Sequence, residues 1–174
     1  MKYIPQRENY EVLQNGVVRQ ITKVPFDYDI NYARDRYAEA PYTLSYARFG
    51  YLLSKISRLP TSILDVGYGT GQFLEVVRDA GIPCFGFDIS PTPPPSGVLK
   101  VSSLLEKYYD VITFFDSLEH FEDITFIKNL NCNYIVVSVP SCNHPEDPEW
   151  FFSWKHLRPD EHLWHFSPKA LTLF

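Results

Sequence analysis

Nowhere in the sequence does an uninterrupted apolar run approach the ~18 residues that a membrane span requires. Residues Met1 to Glu8 also lack the apolar stretch of a secretory signal, so a soluble, cytoplasmic protein is expected. Cysteine is scarce. Cys84, Cys132 and Cys142 lie far apart, form no CxxC pair and leave one thiol over from any single disulfide, which argues against a structural zinc site and fits a reducing compartment. Positive charge is short too: 16 Lys and Arg against 21 Asp and Glu leave a formal net charge of −5, which disfavours nucleic acid as a partner. No internal repeat is found. What remains is 174 residues with 45% apolar content, enough for one substantial core.

Tyr10 to Leu13 and Val17 to Ile21 flank Asn15-Gly16, a pair that supplies the positive φ angles of a tight hairpin. A Tyr-rich stretch from Phe26 to Tyr37 follows. From Thr43 to Ser57, Leu44, Ala47, Tyr51 and Leu52 recur at helical spacing. Residues 1–42 read as a hairpin and extension, and 43–174 as the main domain. Beyond Ser62, short β-rich runs alternate with helical stretches: Ile63–Val66, Cys84–Asp88, Val98–Val101, Val111–Phe115 and Tyr134–Val139. That alternation specifies an α/β fold, a parallel sheet with helices on both faces, and the runs are apolar nearly throughout, as strands covered on both sides require. Pro91-Thr92-Pro93-Pro94-Pro95 must form a stiff loop, and Ser167-Pro168 reads as a helix start.

The first of these strands runs into Gly67-Tyr68-Gly69-Thr70-Gly71, and a helix with Phe73, Leu74, Val76 and Val77 toward the sheet comes next. Glycines here let the backbone turn sharply and bring N–H groups against a ligand. Such a turn also serves as a bare connection, but this one lies at the carboxyl end of a strand, where open α/β sheets bind ligands. A nicotinamide-dependent oxidoreductase would use the same layers and needs glycine at the sixth position, where Gln72 stands.

The spacing Asp65-x-Gly67-x-Gly69-x-Gly71 resembles the first motif of class I S-adenosylmethionine-dependent methyltransferases. Asp88 in Phe85-Gly86-Phe87-Asp88-Ile89-Ser90 is similar to the acidic residue that these enzymes offer to the ribose hydroxyls. Asp116-Ser117-Leu118-Glu119-His120 resembles their segment after the fourth strand, and the tract Trp154 to Pro168 resembles the region after the fifth in one subgroup. The resemblance runs from about Thr43 to the end of the chain. It implies a three-layer Rossmann-like sheet of order 3-2-1-4-5, with S-adenosylmethionine as cofactor and S-adenosylhomocysteine as product. It places Asp65, Gly67, Tyr68, Gly69 and Gly71 by the methionine part, with Asp88, Ile89 and Asp116 also at the cofactor and Ser102, Ser103 or Leu104 by the adenine. Arg48 and Tyr37 stand where related enzymes close over the cofactor's carboxylate. Relatives continue into an antiparallel sixth and seventh strand, and the sequence stops at Phe174. A truncated end is therefore expected, and the fifth-strand edge would be covered by a second subunit, by the N-terminal ribbon or by the missing residues.

Methyl transfer is an in-line displacement at a sulfonium, and a hydroxyl or activated carbon acceptor must also lose a proton. Histidine is the natural base near neutral pH. All five histidines fall after the fourth or fifth strand, with His120 the first choice as base and His165 the second. The competing reading is that these rings pack among Trp150, Phe151, Phe152, Trp154 and Trp164. Asp116, Glu119 and His120, at i, i+3 and i+4, could share a helical face and a divalent ion, but a further oxygen or imidazole ligand would be needed. No metal is assigned from the sequence. The aromatic tract suits a lid over a flat, apolar or sugar-like small-molecule acceptor. The expected activity is O- or C-methylation of such an acceptor, the alternative being a protein that keeps the cofactor site without turnover.

Overall fold

In the computed structural model, residues 7–25 and 42–173 are described. The Tyr-rich stretch from Phe26, Tyr37 included, lies outside them. The chain forms two compact units, one of residues 28–115 and 125–137, the other of 1–27, 116–124 and 138–174. The hairpin thus shares its unit with the C-terminal segments.

The first unit carries helix α1 (Tyr42–Ile56), strand β3 (Ile63–Val66), helix α2 (Gln72–Asp79), strands β4 (Cys84–Phe87), β5 (Leu99–Lys100) and β6 (Tyr109–Phe115), and most of β7 (Cys132–Ser138). Their order across the sheet is β5-β4-β3-β6-β7. β3 pairs in parallel with β4 on one side and β6 on the other, so that Asp65 stands opposite both Gly86 and Thr113. β3 and β6 are buried along their whole length. β7 departs from the expected burial on both faces, because it ends the row and leaves Tyr134 and Ile135 exposed.

The helix before β3 spans nearly the expected residues but buries a different face. Leu44, Ala47 and Tyr51 are exposed, whereas Ser45, Leu52 and Ile56 are buried and Phe49 and Leu53 pack beside them. The set 45, 49, 52, 53, 56 follows the 3.6-residue period over three turns, while 44, 47 and 51 trace the neighbouring stripe. Against this face lie Ile63, Phe73, Leu74, Val77, Val111 and Phe115. α2 buries Phe73, Leu74, Val76 and Val77.

At the base of the sheet, Asp110 is buried and accepts from Arg58 through both oxygens, Nη1 at 2.5 Å and Nη2 at 2.7 Å. Thr61 N at 2.8 Å and Asn133 Nδ2 at 2.9 Å complete the set. The bidentate guanidinium and these donors hold the Asp110 carboxyl well below the usual carboxylate range.

In the second unit the hairpin strands β1 (Tyr10–Val12) and β2 (Val18–Gln20) join β8 (Trp164–His165) in a three-stranded antiparallel sheet. The connection is longer than a two-residue turn: Leu13 N donates to Val17 O, and Gly16 N to Leu13 O. Helix α3 (Pro148–Ser153) starts at Asp147, which accepts from Glu149 N and Trp150 N. Helix α4 (Pro168–Leu173) starts at Ser167, whose hydroxyl accepts from Ala170 N at 3.0 Å. Among the described residues no helix is long and apolar enough to cross a membrane.

Candidate cofactor site and its surroundings

The turn after β3 is built by backbone geometry rather than by side chains. Gly71, at φ 81° and ψ 6°, is the residue before α2, a left-handed conformation that costs a side-chain-bearing residue energy. A Cβ at Gly71 would also stand 2.4 Å from Cγ of Pro95, so the proline loop closes directly over the turn. Opposite Asp65 on β4, a Cβ at Gly86 would meet Cδ1 of Tyr68 at 2.6 Å. The two glycines thus make room for a ring from the loop and a ring from the turn.

Asp88 ties the turn to the end of β4. Its Oδ2 accepts from Gly69 N at 2.9 Å and its Oδ1 from Ser90 N at 2.8 Å. A carboxylate has about four lone-pair positions, so this half-buried group retains acceptor capacity for two vicinal hydroxyls. Ser90 O accepts from Lys100 Nζ at 2.6 Å, which braces the same loop against β5.

Asp65 is 4% exposed and accepts from Thr113 Oγ1 at 2.6 Å. Burial pushes its carboxyl up to about 6, opposed by the Thr113 hydrogen bond and the Arg48 guanidinium and reinforced by Asp88. The Arg48 guanidinium lies over the Phe115 ring at 4.7 Å. Sequence reasoning missed Thr113, although it is the one polar residue in Val111-Ile112-Thr113-Phe114-Phe115, and only the register places it against Asp65.

The other expected cofactor residues are placed less uniformly. Tyr68 is buried, its hydroxyl donates to Thr92 O, and burial pushes it up to about 12, so its side chain shapes the turn from inside. Ile89 is 72% exposed, an apolar side chain in solvent beside Asp88. Beyond β5, Ser102 is exposed, Ser103 half-buried and Leu104 buried. Asp116 belongs to the second unit, where it is exposed at φ 54°, donates from N to Ser138 O at 2.8 Å and accepts from Ser138 Oγ at 3.3 Å.

Also in the second unit, His165 is 2% exposed, with its ring among those of Tyr10, Phe151 and Trp154. Burial pushes the imidazole down to about 3, and Nε2 has no hydrogen-bond partner among the described residues. These surroundings fit the core reading of His165 rather than that of a base. β8 puts it there by pairing with Val18. His120 is half-buried and meets the His162 ring edge-on, with centroids 4.9 Å apart. The segment around it is a short 3-10 turn, Leu118–His120, not an α-helix, so the i, i+3, i+4 face expected for Asp116, Glu119 and His120 does not form. Instead Glu119 and His120 come together with His162, each offering a ligand atom within 4.8 Å of the others. Trp150 and Trp154 stack at 5.6 Å, with His144 and His156 against their edges.

A glycine turn after one central strand is clasped by an acidic residue from the end of the next, in a five-stranded sheet like that of a Rossmann-like methyltransferase. A family profile described as a methyltransferase domain matches residues 32–173. The chain belongs to that methyltransferase family. No curated protein matches it. Among solved structures, a SAM dependent methyltransferase from Archaeoglobus fulgidus is 20% identical, with a TM-score of 0.57 over 80% of this chain and 69% of that one. The plantazolicin methyltransferase BpumL, solved with SAH and a pentazolic desmethylPZN analog, is 22% identical, with a TM-score of 0.48 over 74% of this chain and 59% of its own.

Proposed function

We propose that this chain transfers the methyl group of S-adenosylmethionine to oxygen or carbon of a small-molecule or sugar-like acceptor. The observation that carries the cofactor half is the clasp of Asp88 on Gly69, which holds the turn's backbone in place while leaving carboxylate acceptor capacity for the ribose. Asp65, Gly67, Gly69 and Gly71 lie by the methionine part, and Ser102 and Leu104 by the adenine. The cofactor supplies an electrophilic methyl group on a sulfonium. The chain's own residues orient it and take up the acceptor's proton.

For that proton His120 is the group we assign, because it is only half-buried, whereas His165 sits within the aromatic cluster. The acceptor class rests on the stacked Trp150 and Trp154, both partly exposed, whose faces suit a flat ring or the apolar face of a sugar. Isothermal titration with S-adenosylmethionine followed by a methyl-release assay on a metabolite panel tests both halves. Saturable binding with turnover on a small acceptor supports the proposal. Binding without turnover on any acceptor would favour a cofactor-binding protein, and NAD binding in place of S-adenosylmethionine would refute the reading altogether.

A further inference from the structure

Glu119, His120 and His162 bring one carboxylate and two imidazoles together from segments some forty residues apart, all within the second unit. Glu119 is 1% exposed and His162 6%, so two of the three donors are withdrawn from bulk water. Backbone and side-chain bonds fix the approach. Leu163, next to His162, donates its N–H to the Glu119 carbonyl at 2.7 Å, and Trp164 Nε1 donates to the Phe121 carbonyl at 2.6 Å. Neither bond uses the side chains of the trio, so the scaffold that juxtaposes them does not depend on their interaction with one another.

The tautomer of His162 follows from its partner. Nδ1 lies 2.9 Å from the His156 carbonyl oxygen, which can only accept. Nδ1 therefore carries the proton, and in the neutral ring Nε2 presents a lone pair. A backbone carbonyl that fixes one imidazole nitrogen in this way is what orients histidines toward metals at the other. The His120 ring meets that of His162 at 89° rather than stacking on it. Around an ion with bonds of ~2.1 Å, ligand atoms stand about 3.4 Å apart, so the present spread needs to contract by no more than about 1.5 Å.

We infer that Glu119, His120 and His162 form a binding site for a divalent transition-metal ion. Two nitrogens and one carboxylate oxygen favour zinc, manganese, iron, cobalt or nickel over magnesium or calcium, whose preferred ligands are all oxygen. Three protein ligands leave at least one coordination position for an oxygen ligand, water in the simplest case, the pattern of reactive rather than purely structural ions. The site is independent of the assignment of the methyl acceptor. An ion there would occupy the lone pair of His120, so that ring serves as a base only in the metal-free chain.

The test uses the full chain, stripped with a chelator, dialysed, and titrated with Co(II) and then Zn(II). We expect one equivalent of Co(II) with a visible d–d absorption band that Zn(II) abolishes. Glu119→Gln and His120→Asn should each weaken Co(II) binding by about tenfold or more, and Asp116→Asn should leave it unchanged. Circular dichroism checks that the variants are folded, and half-exposed His120 gives a reading even where buried Glu119 does not tolerate change. Absence of saturable Co(II) binding by the folded wild-type chain overturns the inference, as does undiminished binding by a folded Glu119→Gln or His120→Asn protein.

Discussion

At the scale of single residues, two carboxylates in the first unit behave differently because their surroundings differ. Asp88 keeps access to solvent and commits one hydrogen bond to Gly69 and one to Ser90. Asp88→Ala should weaken S-adenosylmethionine binding by about 1–3 kcal/mol, read by calorimetric titration. Asp88→Asn should recover part of that loss, since the amide keeps one acceptor oxygen; equal affinity in all three proteins would remove the ribose role. Asp65 is buried beside Thr113, faces Arg48 and Asp88, and ionises only near 6. A cation bound near it favours the ionised form. Affinity for the sulfonium should therefore rise as pH increases from about 5 to 7, with proton release on binding. In Asp65→Asn that rise should disappear. Titrations across this range in buffers of different ionisation enthalpy measure both effects.

Among the elements, the join of β3 to α2 is the most constrained. Gly71 combines a left-handed φ with a proline ring at the position its Cβ would take. Gly71→Ala should destabilise the protein by roughly 1–3 kcal/mol, the left-handed backbone contributing about 1–2 of that. It should also weaken cofactor binding, because relief of the clash moves either the turn or the Pro95 loop. Urea unfolding and titration of the same protein check the two parts, and a variant as stable as wild type would show that the loop yields freely. The proline run is legible as a stiff loop from its composition. Its closure over the turn is not, because Gly71 and Pro95 are remote in sequence and meet only once β4 pairs beside β3.

For the whole molecule, the balance of protons bound by folded and unfolded chains sets how stability varies with pH. The carboxyl of Asp110 is depressed, so its contribution is present above the unfolded value near 3.8 and lost as pH falls through the folded one. His165 is lowered from 6.5 to about 3, and His162 from 6.5 to about 4. Between those values the unfolded chain binds the extra protons, so both histidines make stability fall as pH drops below 6.5. Asp65 is raised from 3.8 to about 6 and acts oppositely, its contribution fading as pH rises through that window. It therefore offsets part of the histidine slope. Asp65→Asn removes the offset, so the urea midpoint of the metal-free variant should climb more steeply than that of metal-free wild type between pH 3.8 and 6. Parallel curves for the two proteins would show that Asp65 titrates normally in the folded chain.

The sequence by itself determined the alternation of strands and helices, the glycine turn and the acidic residue that follows the next strand. These are local: period, apolar runs and the conformational freedom of glycine act over a few neighbouring residues, and Ile63–Val66 carries the same bounds in both readings. The tertiary structure alone decided which face of α1 is buried, that Thr113 stands against Asp65, that His165 is a core ring, and that His162, not Asp116, joins Glu119 and His120. Each of these depends on pairing between segments distant in sequence. A periodic pattern shows that a stripe or a donor exists; only packing selects the neighbour it meets.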